Sequence, residues 1–388
     1  MTSAAVPSVR RPQTVRLFLC GDVMLGRGID QVLPQPCDPT LHEDYVGSAL
    51  GYVRIAEEAN GPIPRPVPLP YVWGVALEEF AARRPDARIV NLETSITRSD
   101  DYEPKGINYR MSPENAACLA AAGIDCCVLG NNHILDWGRA GLCDTLATLE
   151  RLRIKKAGAG RTNEEAALPA IVPRGAGGRV LIYSFASPTS GTPEDWAAKP
   201  DAPGVNLLPD LSPATVSRVV DAISRERQAS DLVVASIHWG SNWGYSIAES
   251  QRRFAHALID DAGVSVIHGH SSHHAKAMEV YRGRLILYGC GDFLNDYEGI
   301  AGNEEYRGDL AIMYFADFNM PGGALTGLEL VPLQIRQFRL GRPSAADIEW
   351  VRRTLERESR RLGAFALQTA PDGLSLRAGA AGPLDAGQ

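Results

Sequence analysis

Short apolar runs that end in glycine or in polar residues alternate along the chain with amphipathic segments of helical spacing. The apolar runs predict buried strands at 15–20, 87–92, 125–129, 231–237 and 264–267. The amphipathic segments predict helices at 75–84, 113–122, 141–152, 213–228, 249–262 and 345–362. Strands and helices that alternate in this way are typical of a mixed fold, either α+β or α/β.

Polar side chains with acid–base or metal-binding chemistry follow three of these strands. In chain order they are Asp22, Asn91, Glu93, Asn132 and His133. A single residue of this kind is typical of a turn or a helix cap. Ligands collect at the carboxyl edge of open α/β sheets, however, so three such strand ends favour one convergent site.

A histidine-rich stretch at 265–274 contains four of the eight histidines in the chain. The four are His268, His270, His273 and His274. One histidine alone would be typical of a packed core residue, but four around the strand-ending Gly269 favour a functional site. His238 ends the preceding strand, and Asp292 follows a glycine at a later strand end, where pairing with a histidine is favoured over a simple turn.

Together these residues form a mixed nitrogen and oxygen donor set without thiolate ligands, which suits a divalent metal ion. The same side chains can also form carboxylate–imidazole pairs that transfer protons. The candidates for catalysis are Asp22, His133, His238, His270, His273 and Asp292. Spacing alone leaves open which histidine binds a metal and which one moves a proton.

Composition excludes several other classes of function. The chain has 388 residues, a net charge of −7 and a pI near 5.7, so a nucleic-acid-binding face is not expected. No stretch approaches the roughly 20 consecutive apolar residues of a membrane-spanning helix. The first apolar run is too brief for a signal peptide. We therefore expect a cytoplasmic protein with no nucleic-acid and no membrane partner.

The pattern predicts one domain at 15–342, with a flexible arm at 1–14 before it. Prolines between 30 and 72 break any long helix there and predict an insertion over the site. This insertion is either a lid that covers the substrate or, slightly less favoured, an inert surface loop. A C-terminal helix is expected at 343–365 and a disordered tail at 366–388.

The strand-end motifs resemble those of the CapA family, the poly-γ-glutamate capsule branch of the calcineurin-like metallophosphoesterases. The motifs occur in the order of the family at 21–27, 91–94, 131–138, 238–240, 269–273 and 291–293. The resemblance implies a calcineurin-like four-layer αββα sandwich with its site along one edge. It also implies a divalent metal ion (Ca, Mn, Mg or Zn) held by Asp22, Glu93, Asn132, His133, His238 and His270.

The sequence departs from the pattern of the superfamily at three places. Met24 stands where the first motif has a histidine, and Glu93 closes a motif that usually supplies a metal-bridging aspartate. Ser271 and Ser272 interrupt the usual His-Pro-His of the CapA family. These departures indicate that a dinuclear hydrolytic centre is eroded.

Three functions are compatible with these residues. The first is a metal-dependent peptide epimerase that acts at Cα by His/Asp acid–base chemistry, similar to the lasso-peptide epimerases of this family. The alternatives are a metallohydrolase of phosphoesters or glutamyl amides, and an accessory protein of poly-γ-glutamate synthesis. We expect Arg27, Lys105 and Arg110 to bind the peptide or polyglutamate-like substrate. Trp239 is predicted either to stack on it or to pack in the core.

Overall fold

The computed structural model describes residues 14–174, 178–363, 366–370 and 375–378. Its α-helices are α1 (Gly28–Val32), α2 (Ala49–Asn60), α3 (Ala76–Arg83), α4 (Ala117–Ala121), α5 (Gly138–Arg151), α6 (Asn163–Ala167), α7 (Pro213–Glu226), α8 (Glu249–Ala262) and α9 (Ala345–Ser359). Its strands are β1 (Thr14–Val23), β2 (Ala87–Leu92), β3 (Ser95–Ile96), β4 (Arg110–Met111), β5 (Cys126–Val128), β6 (Lys155–Ala157), β7 (Ala159–Gly160), β8 (Ala170–Arg174), β9 (Gly178–Ala186), β10 (Gly204–Val205), β11 (Leu232–His238), β12 (Val266–His270), β13 (Met278–Tyr281), β14 (Arg284–Leu287), β15 (Asp292–Leu294), β16 (Leu310–Asn319), β17 (Leu325–Arg336), β18 (Arg339–Gly341), β19 (Leu367–Thr369) and β20 (Leu376–Ala378).

Two large sheets organise these elements. The first has the order β19-β20-β17-β16-β1-β2-β5-β6, with β15 paired to β1 and β18 paired to β17. The second has the order β13-β14-β12-β11-β9-β8. Strands β1, β2, β5 and β6 run parallel, as do β9, β11, β12 and β14. The predicted mixed α/β fold is therefore confirmed.

Alternating side chains of each central strand enter different hydrophobic clusters. In β1, Leu17 and Leu19 join a cluster that also contains Val234 of β11 and Val266 of β12. The intervening Phe18 packs in a second cluster, which includes side chains of α2, α3 and α5. The other face of the second sheet packs against α7 and α8 in a third cluster. Because successive strand residues point to opposite faces, one apolar strand supplies two cores.

The proline-rich segment at 30–72 differs from its prediction, because it contains the 12-residue helix α2. The prolines were expected to break any long helix, but residues 40–61 contain none. The helix begins after Ser48 and ends at Asn60, and the next residue, Gly61, has a φ of 86° that glycine adopts without strain.

The C-terminal segment also differs from its prediction. Strands β19 and β20 pair with each other, and β20 pairs with β17 of the first sheet, where a disordered tail was expected at 366–388. An open sheet edge offers unpaired backbone groups, and these strands occupy it. Residues 371–374 and 379–388 of that tail lie outside the described residues, as do residues 1–13 of the predicted arm. Among the helices in the described ranges, none has the length and apolar character to cross a membrane.

Candidate metal centre

The candidate site lies where the parallel strands of the two sheets end. In the first sheet, Asp22 of β1 is in register with Asn91 of β2 and with Asp292 of β15. In the second sheet, His238 of β11 is in register with His270 of β12. All five side chains are buried. The two sheet edges thus bring together residues that are far apart in the sequence.

One group of buried side chains consists of Asp22, His238 and His270, whose ligand atoms all lie within 4.8 Å of one another. Nδ1 of His238 lies 2.8 Å from Nδ1 of His270, and its Nε2 lies 2.8 Å from Oδ1 of Asn132. Burial, together with the neighbouring histidines, lowers the pKa of both imidazoles well below the usual value. Both rings are therefore neutral, which is the form that binds a metal ion.

A second group shares Asp22 and adds His273 and Asp292. Nδ1 of His273 lies 2.9 Å from Oδ1 of Asp292, and the other oxygen of Asp292 accepts a 2.8 Å hydrogen bond from Nδ2 of Asn295. Burial alone lowers the pKa of His273, but the Asp292 carboxylate outweighs it and raises that pKa. Asp22, His273 and Asp292 thus offer donors for a second cation although Met24 replaces the histidine of the first motif, and the sequence had named His273 and Asp292 among the acid–base residues.

The carboxylates of Asp22 and Glu93 are held close to one another. Nδ2 of Asn91 lies 2.8 Å from Oδ1 of Asp22 and 3.2 Å from Oε2 of Glu93, and donates to both. Burial and repulsion from Asp292 raise the pKa of Asp22 to about 7, and burial and repulsion from Asp22 raise the pKa of Glu93. A divalent cation among these groups would remove that repulsion, so the donor set fits a metal ion.

The other predicted ligands, Glu93, Asn132 and His133, lie around the first group. Oε1 of Glu93 is 3.7 Å from Nε2 of His238 and 3.8 Å from Nε2 of His133. Nδ1 of His133 is 2.7 Å from Oδ2 of Asp136. Burial lowers the pKa of His133 to about 4, so its ring is neutral. In a neutral imidazole one ring nitrogen donates and the other accepts. Because Nδ1 of His133 donates to Asp136, its Nε2, which lies beside Glu93, is free to accept a proton.

Lys105 was predicted to bind substrate, but its Nζ contacts the protein itself. It lies 2.7 Å from Oδ1 of Asp136 and donates to the backbone carbonyl of Asn132. Its side chain is 23% exposed. Lys105 therefore holds the turn that carries Asn132 and His133, and its charge is paired with Asp136.

Arg27 and Arg110 were also predicted to bind substrate, and the structure places both in internal contacts. The Arg27 guanidinium contacts Asp296, Glu43 and Tyr52, and its side chain is 2% exposed. The Arg110 guanidinium donates to the carbonyl of Ser99 and stacks at 3.8 Å from the centre of the Trp137 ring. These arginines fix the loops around the site, since their donors are already occupied.

Of the two placements predicted for Trp239, the structure has the one in the core, not stacking on substrate. Its side chain is buried against Phe254 and Tyr288 in the cluster between the second sheet and α8. Its Nε1 donates to the carbonyl of Tyr288 at 3.1 Å. His238 and Trp239 are consecutive residues, and consecutive side chains at a strand end point to opposite faces.

His268 was not among the predicted site residues, although it belongs to the histidine-rich stretch. Its Nδ1 is 3.0 Å from Oγ of Ser236, which in turn is 2.8 Å from Nε2 of His270. Its Nε2 donates to the carbonyl of Cys20 at 2.7 Å. His268 therefore positions His270, and the strand period of two, which places 268 and 270 on one face, could have indicated this.

A cavity of about 560 Å³ lies beside the second donor group. His273 and Asn295 of that region line it, together with the aromatic side chains of Trp243 and Tyr297. Tyr297 packs edge-on against His273, with 5.5 Å between the ring centres. The sequence did not indicate Tyr297 or this cavity, because its walls combine loops with residues of α2 and β17 that are far apart in the chain.

The fold and the site together define a mixed α/β protein with nitrogen and oxygen donors at the ends of parallel strands. A family model described as "Bacterial capsule synthesis protein PGA_cap" matches residues 16–297. The chain therefore belongs to this family, which confirms the CapA-like relationship implied by the motifs.

Individual relatives agree with this assignment. The chain is 46% identical over 365 residues to a "probable polyglutamine synthesis accessory protein" of Mycobacterium tuberculosis strain H37Rv, which covers 94% of this chain and 96% of the relative. It is 29% identical over 208 residues to the "PGA biosynthesis protein CapA" of Bacillus subtilis, covering 53% and 52% of the two chains. It is 25% identical over 366 residues to the "capsule biosynthesis protein CapA" of Bacillus anthracis, covering 92% and 77%.

Proposed function

We propose that this protein is an accessory factor in the synthesis of a glutamyl-type polymer and that it cleaves amide bonds of that polymer with the help of divalent cations. The single observation that carries the proposal is that Asp22 belongs to both donor groups, the second of which lies beside the cavity through His273. A carboxylate common to two cation sites is typical of two-metal hydrolysis. The names of the relatives support the choice of polymer.

This proposal combines two of the alternatives from the sequence and sets peptide epimerisation aside. The relatives are named for polymer or capsule synthesis, which favours the accessory function. We also infer that the two sheets and their outer helices form the four-layer αββα sandwich of the calcineurin-like proteins. Support comes from the cluster that contains apolar side chains of both sheets and from the helices packed on the far face of each.

The two donor groups would each hold one cation in this proposal. Bound divalent cations would supply Lewis acidity toward the carbonyl under attack and would make a water molecule more acidic. Asp22, His238 and His270 would hold one cation, and Asp22, His273 and Asp292 the other. Glu93 and Asn132 would complete the surroundings of the first.

His133 is the acid–base residue in this proposal. Asp136 accepts a hydrogen bond from Nδ1 of His133 and so fixes the ring, which leaves Nε2 to accept a proton from the attacking water. His133 then returns this proton to the amide nitrogen that leaves. One water is consumed, one amide bond breaks, and the ring is neutral again after each cycle.

Polymer length tests the proposal. The protein is incubated with poly-γ-glutamate or with polyglutamine in 1 mM MnCl2 (about the level that occupies weak sites), and chain length is followed by size-exclusion chromatography and mass spectrometry. We expect progressive shortening that a chelator stops. Unchanged length with manganese bound would contradict hydrolysis, and uptake of one deuteron from deuterium oxide without shortening would restore the epimerase hypothesis.

Asp136→Asn is expected to slow polymer shortening about 100-fold, in the lower range of what general acid–base catalysis contributes. The amide cannot hold the His133 ring in the same proton arrangement, while both donor groups keep all their members. Initial rates are measured at saturating polymer, and bound manganese is measured by atomic emission. Asp144→Asn, on α5, is the control. An unchanged rate in Asp136→Asn would contradict the proposed acid–base role of His133.

A further inference from the structure

The lining of the cavity is rich in side-chain amides. It includes five carboxamide side chains: Asn60, Asn242, Asn295, Asn303 and Gln334. Two of them, Asn60 and Gln334, each contact an acidic residue of the same lining, Glu298 and Asp309 respectively. The orientation of these amides decides which ligands the cavity can bind.

The acidic neighbours fix that orientation. Nδ2 of Asn60 donates to Oε2 of Glu298 at 2.6 Å, and Nε2 of Gln334 donates to Oδ2 of Asp309 at 3.0 Å. An ionised carboxylate only accepts hydrogen bonds, so each NH2 group must point to it and each amide oxygen must point away. Within the described part of the chain, neither oxygen has a donor, and both residues are half-buried. Each oxygen is therefore an acceptor that a ligand N–H can reach.

The arginines and the carboxylates of the lining are equal in number. The lining contains three arginines (Arg27, Arg307 and Arg336) and three acidic residues (Glu298, Glu304 and Asp309). Arg307 is paired with Asp309 at 2.7 Å and with Asp347 at 2.8 Å, and Arg27 is paired as described above. A polyanion needs an excess of positive charge, which the arginines and carboxylates of this lining do not supply.

We infer that the cavity binds a segment of polymer whose side chains are amides, that is a glutaminyl chain, in preference to a glutamyl chain with free carboxylates. This inference rests on the proposed function, in which a glutamyl-type polymer is the substrate. A glutamine side chain donates N–H groups to the oxygens of Asn60 and Gln334, whereas a glutamate carboxylate presents an acceptor to an acceptor. The aromatic rings of Trp243 and Tyr297, which line the cavity, pack against the methylene groups of the bound polymer.

Binding of matched oligomers tests the inference. Acetylated pentamers of glutamine and of glutamate, with the same linkage, are titrated into the full-length manganese-loaded protein at about 0.15 M salt, with affinity read by microscale thermophoresis. We expect the glutaminyl pentamer to bind at least about tenfold more tightly, the equivalent of one to two hydrogen bonds. The same samples are analysed by mass spectrometry for cleavage.

The outcomes separate this inference from the proposed function. Equal or tighter binding of the glutamyl pentamer, with shortening, overturns the preference for amides and leaves the hydrolase proposal standing. If neither pentamer binds and neither is shortened, both proposals fail.

A pair of variants assigns the preference to the cavity. Gln334→Ala is expected to weaken binding of the glutaminyl pentamer about fivefold and to change binding of the glutamyl pentamer less than twofold. Gln228→Ala removes a carboxamide from an exposed position outside the lining and is expected to change neither. Equal effects of Gln334→Ala on both pentamers would overturn the role of this amide.

Discussion

Asp22→Asn is expected to abolish manganese binding and polymer shortening while the protein stays folded. The substitution preserves the size of the side chain but removes the anionic ligand that both donor groups share. Removing a residue that only hydrogen-bonds to a metal ligand already lowers metal affinity roughly 10- to 100-fold. Removing the ligand Asp22 itself should therefore lower the affinity at least about 100-fold. Isothermal titration with MnCl2 measures the affinity, and the assay of chain length measures activity.

Thermal unfolding provides an independent measurement on the same variant. Manganese at about 100 times its dissociation constant should stabilise the wild-type protein by roughly 2.7 kcal/mol and raise its Tm. The Tm of Asp22→Asn should not respond to manganese. Asp260→Asn, on α8 and outside both groups, should respond as the wild type does. An Asp22→Asn protein that binds manganese normally would disprove the assignment of this site.

Arg27→Ala is expected to reduce the free energy of unfolding by about 3–5 kcal/mol, the usual cost of removing one partner from a buried ion pair. Arg27 bridges Asp296 and Glu43, whose side chains are 0% and 1% exposed. Its guanidinium also lies over the rings of Tyr52 and Tyr109, at 3.8 and 4.4 Å from their centres. Without it, two carboxylates remain buried without a cation. Urea denaturation followed by circular dichroism measures the change.

Arg353→Ala is the matched control for Arg27→Ala. Arg353 pairs with Glu349 on the exposed face of α9, where its side chain is 75% exposed, so its loss should cost less than about 1 kcal/mol. Arg27→Lys keeps the charge but loses the bidentate contact with the carboxylate. If Arg27→Ala does not fold, Arg27→Lys is measured in its place. Its loss in free energy of unfolding should lie between the losses expected for Arg27→Ala and for Arg353→Ala. Unchanged stability of Arg27→Ala, with weaker polymer binding, would favour the original prediction that Arg27 binds substrate.

The convergence of the site could be read from the sequence because it depends on local rules. Apolar runs of strand length mark the strands, and the residue after each run lies at the carboxyl edge of a parallel sheet. Within each sheet, that rule places Asp22 near Glu93 and His238 near His270. The metal itself, and the division of the histidines between binding and catalysis, stay predictions.

The failures have a different physical origin, since they depend on pairing over long distances in the chain. Arg27 and Asp296 are 269 residues apart, and no periodic pattern links them. An arginine beside a strand end looks the same in a sequence whether it meets a substrate or a buried carboxylate. Trp239 is the exception, because strand alternation from His238 was enough to direct it into the core.

The hydrogen bond from His268 to the carbonyl of Cys20 has a consequence for how the site tolerates change elsewhere. Cys20 precedes Asp22 by two residues and His268 precedes His270 by two. This contact, together with the hydrogen bond from the backbone N–H of Ser271 to Asp22, aligns the two strands that deliver the ligands. Apolar packing between sheets is not directional and permits sliding, whereas a hydrogen bond does not. Substitutions in the core between the sheets can therefore shift the ligands of one sheet relative to those of the other. Such a variant would lose activity although the chain is still fully folded.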